Sequence, residues 1–142
     1  MEILFICTGN TCRSPMAELY FNYFCRINKI NAHASSGGLA ATEGTNISPN
    51  SQLVMEQLGI GTADFRSRQL TMQMLENADF IYTMNAQQRD ILKEYFPQFS
   101  NKIARLLPDK DVPDPFGGSF EIYSKTFTSF KERIEELAKQ FS

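Results

Sequence analysis

At 142 residues, with 42% apolar and 12% aromatic side chains, the chain suits one compact domain spanning 1–142 with one good core. Its formal charge of −2 is too small to steer nucleic acid or an anionic membrane. No apolar run approaches the roughly 18 residues of a membrane span, and Met1-Glu2-Ile3-Leu4 lacks the basic opening of a signal peptide, so a cytoplasmic protein is expected.

Residues 2–6 form a continuous apolar run before a glycine-containing turn, the pattern of a strand buried on both faces. Ser14-Pro15 then reads as a helix start, serine as cap and proline at the first helical position. Met16, Tyr20, Tyr23, Phe24 and Ile27 follow at three- and four-residue steps and predict one apolar stripe. A second strand is expected at 32–36, ended by Gly37-Gly38. Ser48-Pro49 repeats the helix-start signal, with Leu53, Val54 and Leu58 facing inward as far as Gly59. A third strand is expected at 79–83. Asn85 with Gln88 resembles a capping box for a helix ending at Phe96-Pro97. Residues 103–107 read as the last strand. From Ser119 a long helix carries Phe120, Tyr123, Phe127, Phe130, Ile134, Leu137 and Phe141 on one side.

Strands separated by helices of this length imply right-handed crossovers and a parallel α/β sheet covered on both faces. In such sheets ligands gather at the carboxyl ends of strands, where strand order switches. The loop Cys7-Thr8-Gly9-Asn10-Thr11-Cys12-Arg13-Ser14 lies there, after the first strand. Backbone N–H groups of a tight strand-to-helix turn can converge on a phosphate-sized anion, and the helix dipole adds positive potential. Gly9 is expected to supply a backbone angle that a side chain would obstruct. Arg13 offers a planar fork of donors to two phosphoryl oxygens. The same donors favour the nucleophilic thiolate of Cys7, and the Ser14 hydroxyl can ease its later departure. A Walker-type nucleotide loop fits poorly, because Gly9 is not followed by Gly-Lys-Ser/Thr.

Three cysteines, Cys7, Cys12 and Cys25, cannot all pair, and they crowd into the first 25 residues, unlike a disulfide framework. The one histidine, His33, and the missing second cysteine pair leave structural zinc without a ligand set. His33 reads as a surface or packing residue and Cys25 as core. A leaving group must be protonated as it departs, and with no histidine at hand a carboxylate is the natural acid. Pro113 and Pro115 stiffen the loop around Asp114, yet the residues alone also leave Asp109 and Asp111 open.

The run Cys7-Thr-Gly-Asn-Thr-Cys-Arg-Ser-Pro-Met-Ala-Glu18 resembles the signature of the low-molecular-weight protein tyrosine phosphatases. The resemblance continues through Ser36-Gly37-Gly38, Arg68-Gln69-Leu70 and Asp114-Pro115-Phe116-Gly117-Gly118, in the family's order. It implies a single three-layer domain with a four-stranded parallel sheet, the phosphate loop after the first strand, and hydrolysis of phosphorylated residues through a phosphocysteine. Cys7, Arg13 and Asp114 would be the catalytic residues, with Asp114 as acid and then base. Thr8, Gly9, Asn10, Thr11, Cys12, Ser14 and Phe116 would line the phosphate and substrate site, while Asn10 and Ser36 brace the loop. Cys12 would form a reversible disulfide with an oxidised Cys7, or else pack as a small residue under the loop. No metal or organic cofactor is implied, the partner would be a phosphorylated protein, and a monomer is expected. Where many members carry a histidine ahead of the Arg68-Gln69 step, this chain has Arg66.

Two details resemble the bacterial protein-arginine phosphatase branch. Thr11 stands where tyrosine-specific members usually have isoleucine, and Asp-Pro is followed by Phe-Gly-Gly-Ser rather than a tyrosine pair. A threonine hydroxyl tolerates a polar guanidinium that an isoleucine methyl would leave unpaired. Phosphotyrosine remains the alternative substrate. An arsenate reductase would need relay cysteines beyond Cys25, and a non-catalytic phosphoresidue-binding module would be expected to lack the nucleophile, the arginine or the acid.

Overall fold

The computed structural model describes residues 1–142. Strand β1 (Glu2–Cys7) has every residue after Glu2 buried, because it lies in the middle of a four-stranded parallel sheet ordered β2-β1-β3-β4. Its neighbours are β2 (His33–Gly38) and β3 (Phe80–Thr83), and β3 pairs in turn with β4 (Ile103–Arg105). Successive side chains of a strand point to opposite faces, so β1 divides the core in two. Ile3 and Phe5 face one cluster with Met16, Phe21, Phe127 and Phe130, supplied by helices α1 (Arg13–Ile27) and α5 (Phe120–Lys139). Leu4 and Ile6 face a smaller cluster with Leu75, Ile81, Leu92 and Ile103. That second face is covered by α3 (Met72–Asn77) and α4 (Ala86–Tyr95), and α2 (Pro49–Gln57) adds Val54 and Met55 to the first.

The α5 stripe is as expected: Tyr123, Phe127, Phe130, Ile134 and Leu137 are all buried. Burying each side chain of this size stabilises the fold by about 1.5–3 kcal/mol. Ser119 caps the helix, its Oγ accepting from the Ile122 N–H at 3.4 Å. The capping box of α4 also forms, with Asn85 Oδ1 accepting from Gln88 N at 2.8 Å and Gln88 Oε1 accepting from Asn85 N at 3.2 Å. Cys25 is core, and His33 is exposed beside Glu2 at 3.1 Å.

Four expectations need correction. Helix α1 begins at Arg13, with Cys12 at the cap position and no side-chain cap bond, so Ser14 is inside the helix. Its hydroxyl is committed elsewhere. Ile27 and Leu53 are 57% and 47% exposed, so each stripe is narrower than its spacing suggested. The last strand stops at Arg105, and the six-residue α3 went unpredicted because so short a helix shows no periodicity. Gly37-Gly38 does not end β2 but forms its last two residues, in register with Ile6 and Cys7.

The reason is close packing. A Cβ on Gly38 would stand 2.6 Å from the Thr8 carbonyl oxygen and 2.9 Å from the Ala41 Cβ. Because the nearer obstacle is backbone, Gly38→Ala is expected to destabilise by about 1–3 kcal/mol, read as a lower urea midpoint at unchanged slope.

Candidate active site

The chain leaves β1 for β2 on one side and later returns to β3 on the other, so the strand order switches at Cys7. The loop from Thr8 to Cys12 fills that position. Carbonyls at both ends of it are bonded: Leu39 N–H donates to Cys7 O, Ala40 N–H to Thr8 O and Ser48 N–H to Thr11 O, all at 2.9–3.0 Å. Ser51 Oγ donates to Cys12 O at 3.2 Å. In contrast, none of the backbone N–H groups of Thr8, Gly9, Asn10, Thr11 or Cys12 has a partner within the protein. Buried backbone donors are normally satisfied, so a loop with bonded carbonyls and free amides is built to meet an anion.

The left-handed backbone angle falls on Asn10 (φ 56°), not on Gly9, where a Cβ would meet only Thr11 Oγ1 at 3.8 Å. Asparagine tolerates this region better than most residues, and here the neighbours hold it. Asn10 is fully buried behind the loop. Its Oδ1 accepts from the Arg68 backbone N–H at 2.9 Å, while Nδ2 donates to Ser14 Oγ at 2.8 Å and Ser36 Oγ at 2.9 Å. Ser14 Oγ lies 2.8 Å from Cys7 Sγ. Because Ser14 accepts from Asn10, its own proton is left to face the Cys7 sulfur. Asn10, Ser14 and Ser36 therefore support the site from behind rather than line it.

A cleft of about 230 Å³ opens over the loop, lined by Cys7, Thr8, Gly9, Thr11, Cys12 and Arg13, and by Asp114 and Phe116 from the segment before α5. The Arg13 guanidinium is buried. Its Nη1 donates to Val112 O at 3.1 Å, Nη2 lies 3.8 Å from Asp114 Oδ2, and Nε is buried with no partner. Val112 is itself tied to the end of β3, its N–H donating to Met84 O at 2.8 Å. The guanidinium is thus held at one end while a second donor is left for a ligand.

The structure separates the three aspartates that spacing left open. Asp111 accepts from Ala86 N–H and from Arg105, each at 3.0 Å, and these bonds, the backbone one first, hold it below the usual carboxylate range. Asp114 lines the cleft with its side chain 60% exposed, its Oδ1 accepting the Phe116 N–H at 3.1 Å. Asp109 does not reach the cleft lining.

Sequence reasoning missed other members. Gln88, whose capping-box role was legible, also donates through Nε2 to Thr8 Oγ1 at 3.1 Å. Tyr123, read only as core, places its hydroxyl 3.3 Å from Cys12 Sγ. Burial, and then the bonded Cys12, push that phenol up to about 12, so it stays protonated and able to donate. Arg66 is exposed and donates to the carbonyls of Ala63 and Phe65 in its own turn, taking no part in bracing the loop.

A family model described as low molecular weight phosphotyrosine protein phosphatase matches residues 2–142. The chain belongs to that family. The phosphatase is 34% identical to the protein-arginine-phosphatase of Bacillus subtilis over 145 residues, covering 99% of this chain and 96% of the relative. Its fold superposes on the YwlE arginine phosphatase C7S mutant with phosphorylated active site serine at a TM-score of 0.93, with 34% identity and 99% and 95% of the two chains covered. The low molecular weight protein tyrosine phosphatase of T. tengcongensis superposes equally well, at 0.93 and 34% identity, covering 99% of each chain. The phosphatase is accordingly a cysteine-dependent enzyme acting on phosphorylated proteins.

Proposed function

We propose that this phosphatase removes phosphate from arginine side chains of proteins, with Cys7 as nucleophile, Arg13 as phosphoryl clamp and Asp114 as proton donor. The observation that carries the chemistry is the cradle itself: five unpartnered loop amides and the unpartnered Arg13 Nε beside the Cys7 sulfur. Those donors would bind the three phosphoryl oxygens and stabilise the charge that develops on them. The Cys7 thiolate attacks phosphorus as the phosphorus–nitrogen bond breaks, and Asp114 gives its proton to the departing guanidine nitrogen. Asp114, now a carboxylate, takes a proton from water as it attacks the phosphocysteine. Inorganic phosphate leaves, and the Ser14 hydroxyl receives the developing charge on the Cys7 sulfur. No step calls for a metal or organic cofactor.

The choice of arginine is supported by the wall of the cleft. Thr11 lines it, and its hydroxyl has only a 3.7 Å contact with Cys12 Sγ, so an acceptor is left for a guanidinium N–H. The arginine-phosphatase relatives named above support the same reading. The specific observation favouring phosphotyrosine is Phe116, 80% exposed at the cleft, which could stack on a phenyl ring. Turnover of phosphoarginine and phosphotyrosine peptides measured side by side decides between them. Thr11→Ile is expected to lower kcat/KM for phosphoarginine roughly tenfold and to raise it for phosphotyrosine, since one well-placed polar contact carries discrimination of this order. Unchanged rates on both substrates would overturn the role of Thr11. We further propose that the enzyme works in the cytoplasm, where its three free cysteines stay reduced.

A further inference from the structure

None of these steps uses the carboxylate of Glu18, yet its placement is unusual for a charged side chain. It projects from α1 with only 15% of its side chain exposed. Burial raises its carboxyl above the ordinary value, opposed by the Ser36 hydrogen bond and by Arg68. Desolvating a carboxylate costs free energy that only good partners offset. Glu18 has two. Ser36 Oγ donates to its Oε1 at 2.6 Å, and Arg68 Nη2 lies 3.9 Å from the same oxygen.

Both partners lead to Asn10. Ser36 Oγ accepts from Asn10 Nδ2, and the backbone N–H of Arg68 donates to Asn10 Oδ1, each at 2.9 Å. We propose that Glu18 is a positioning residue of the phosphate loop, gripping the Asn10 amide from both ends and, through it, aiming the Ser14 hydroxyl at Cys7. The donor directions follow in sequence. Arg68 occupies the Asn10 oxygen, so both Asn10 amide hydrogens go to Ser14 and Ser36. Ser36 must then send its proton to Glu18, and Ser14 must send its proton toward the Cys7 sulfur at 2.8 Å. Asn10 carries the loop's left-handed backbone angle, a conformation that persists only where the surroundings over-determine it.

The inference rests on Cys7 as the group whose departure Ser14 assists. Glu18→Met cuts both arms, whereas Glu18→Gln keeps an acceptor for Ser36 and loses the charge facing Arg68. Leaving a buried hydroxyl unpaired is expected to lower kcat roughly tenfold in the Met variant, and about threefold in Gln, with affinity for inorganic phosphate within about twofold. In a Ser36→Ala background the Met substitution should cost only about threefold, because one arm is already cut. Exchange of the Arg68 backbone amide, followed by NMR, should quicken in both variants. A Glu18 that only fills space would lower the unfolding midpoint equally in both backgrounds and leave kcat and Arg68 exchange alone; unchanged kcat or unchanged Arg68 exchange in Glu18→Met overturns the proposal. If Glu18→Met does not fold, the Gln variant decides it, since unchanged kcat together with unchanged Arg68 exchange sinks the idea. Turnover surviving in Cys7→Ser would be a separate failure, of the nucleophile assignment, and the Arg68 exchange still reports on Glu18.

Discussion

Cys7→Ser is expected to lower turnover of a chromogenic aryl phosphate by at least about 10⁴-fold, while inorganic phosphate still binds within about threefold of wild type. Loss of the group that forms the covalent intermediate removes a whole route, not one contact, which is why such losses exceed those of any supporting residue. The cradle itself is untouched by the exchange, because its donors are the loop amides and Arg13. Serine at this position is a far poorer leaving group than a thiolate, so the phosphoenzyme should accumulate and be visible by intact mass. A relative has been captured in that form, as the C7S mutant with phosphorylated active site serine. Turnover retained in Cys7→Ser would place the nucleophile elsewhere.

Asp114→Asn is expected to have the second largest effect, about 10²–10³-fold in kcat on substrates with a poor leaving group. The size of the loss should depend on what departs. An activated nitrophenolate needs little proton donation, so its kcat should fall far less than that of a plain phenyl ester or a phosphoarginine peptide. That dependence separates two roles the geometry allows. Asp114 lies 3.8 Å from Arg13 Nη2, and a carboxylate that only steadied the guanidinium would cost the same factor whatever the leaving group. An equal loss across leaving groups would therefore remove Asp114 as the acid. Asp111 is a poor substitute, since Ala86 and Arg105 hold it ionised.

Legibility followed the range of the interaction. The apolar run of β1, the α5 stripe from Tyr123 to Leu137 and the Asn85–Gln88 capping box were readable because each depends on residues a few positions apart. The Cys7 loop was readable for the same reason, as a Cys-x5-Arg-Ser spacing between a buried strand and a helix. Errors arose where a local signal met a distant competitor. Ser14-Pro15 has the form of a helix cap, but the Ser14 hydroxyl is taken by Asn10 and faces Cys7. Gly37-Gly38 has the form of a turn, but backbone from the Thr8 loop demands glycine within the strand. Ile27 and Leu53 match their helical stripes, yet each stays about half exposed.

The Cys7–Ser14 loop shows the same division. The sequence by itself determined which groups could do chemistry there: a thiol, a guanidinium, a run of backbone amides and a choice of nearby aspartates. The thiol, guanidinium and amides are legible because they fall between Cys7 and Ser14, and the aspartates because they cluster between Asp109 and Asp114 beside two prolines. Tertiary structure alone decided which aspartate faces the cleft, which residue bears the left-handed angle, and how the Ser14 proton is aimed. Each of those depends on at least one partner distant in the chain, Glu18 with Ser36 and Arg13 with Val112 and Asp114 among them. No local pattern can hold that information, because a hydrogen-bond direction is set only when every donor and acceptor around it has been brought into place.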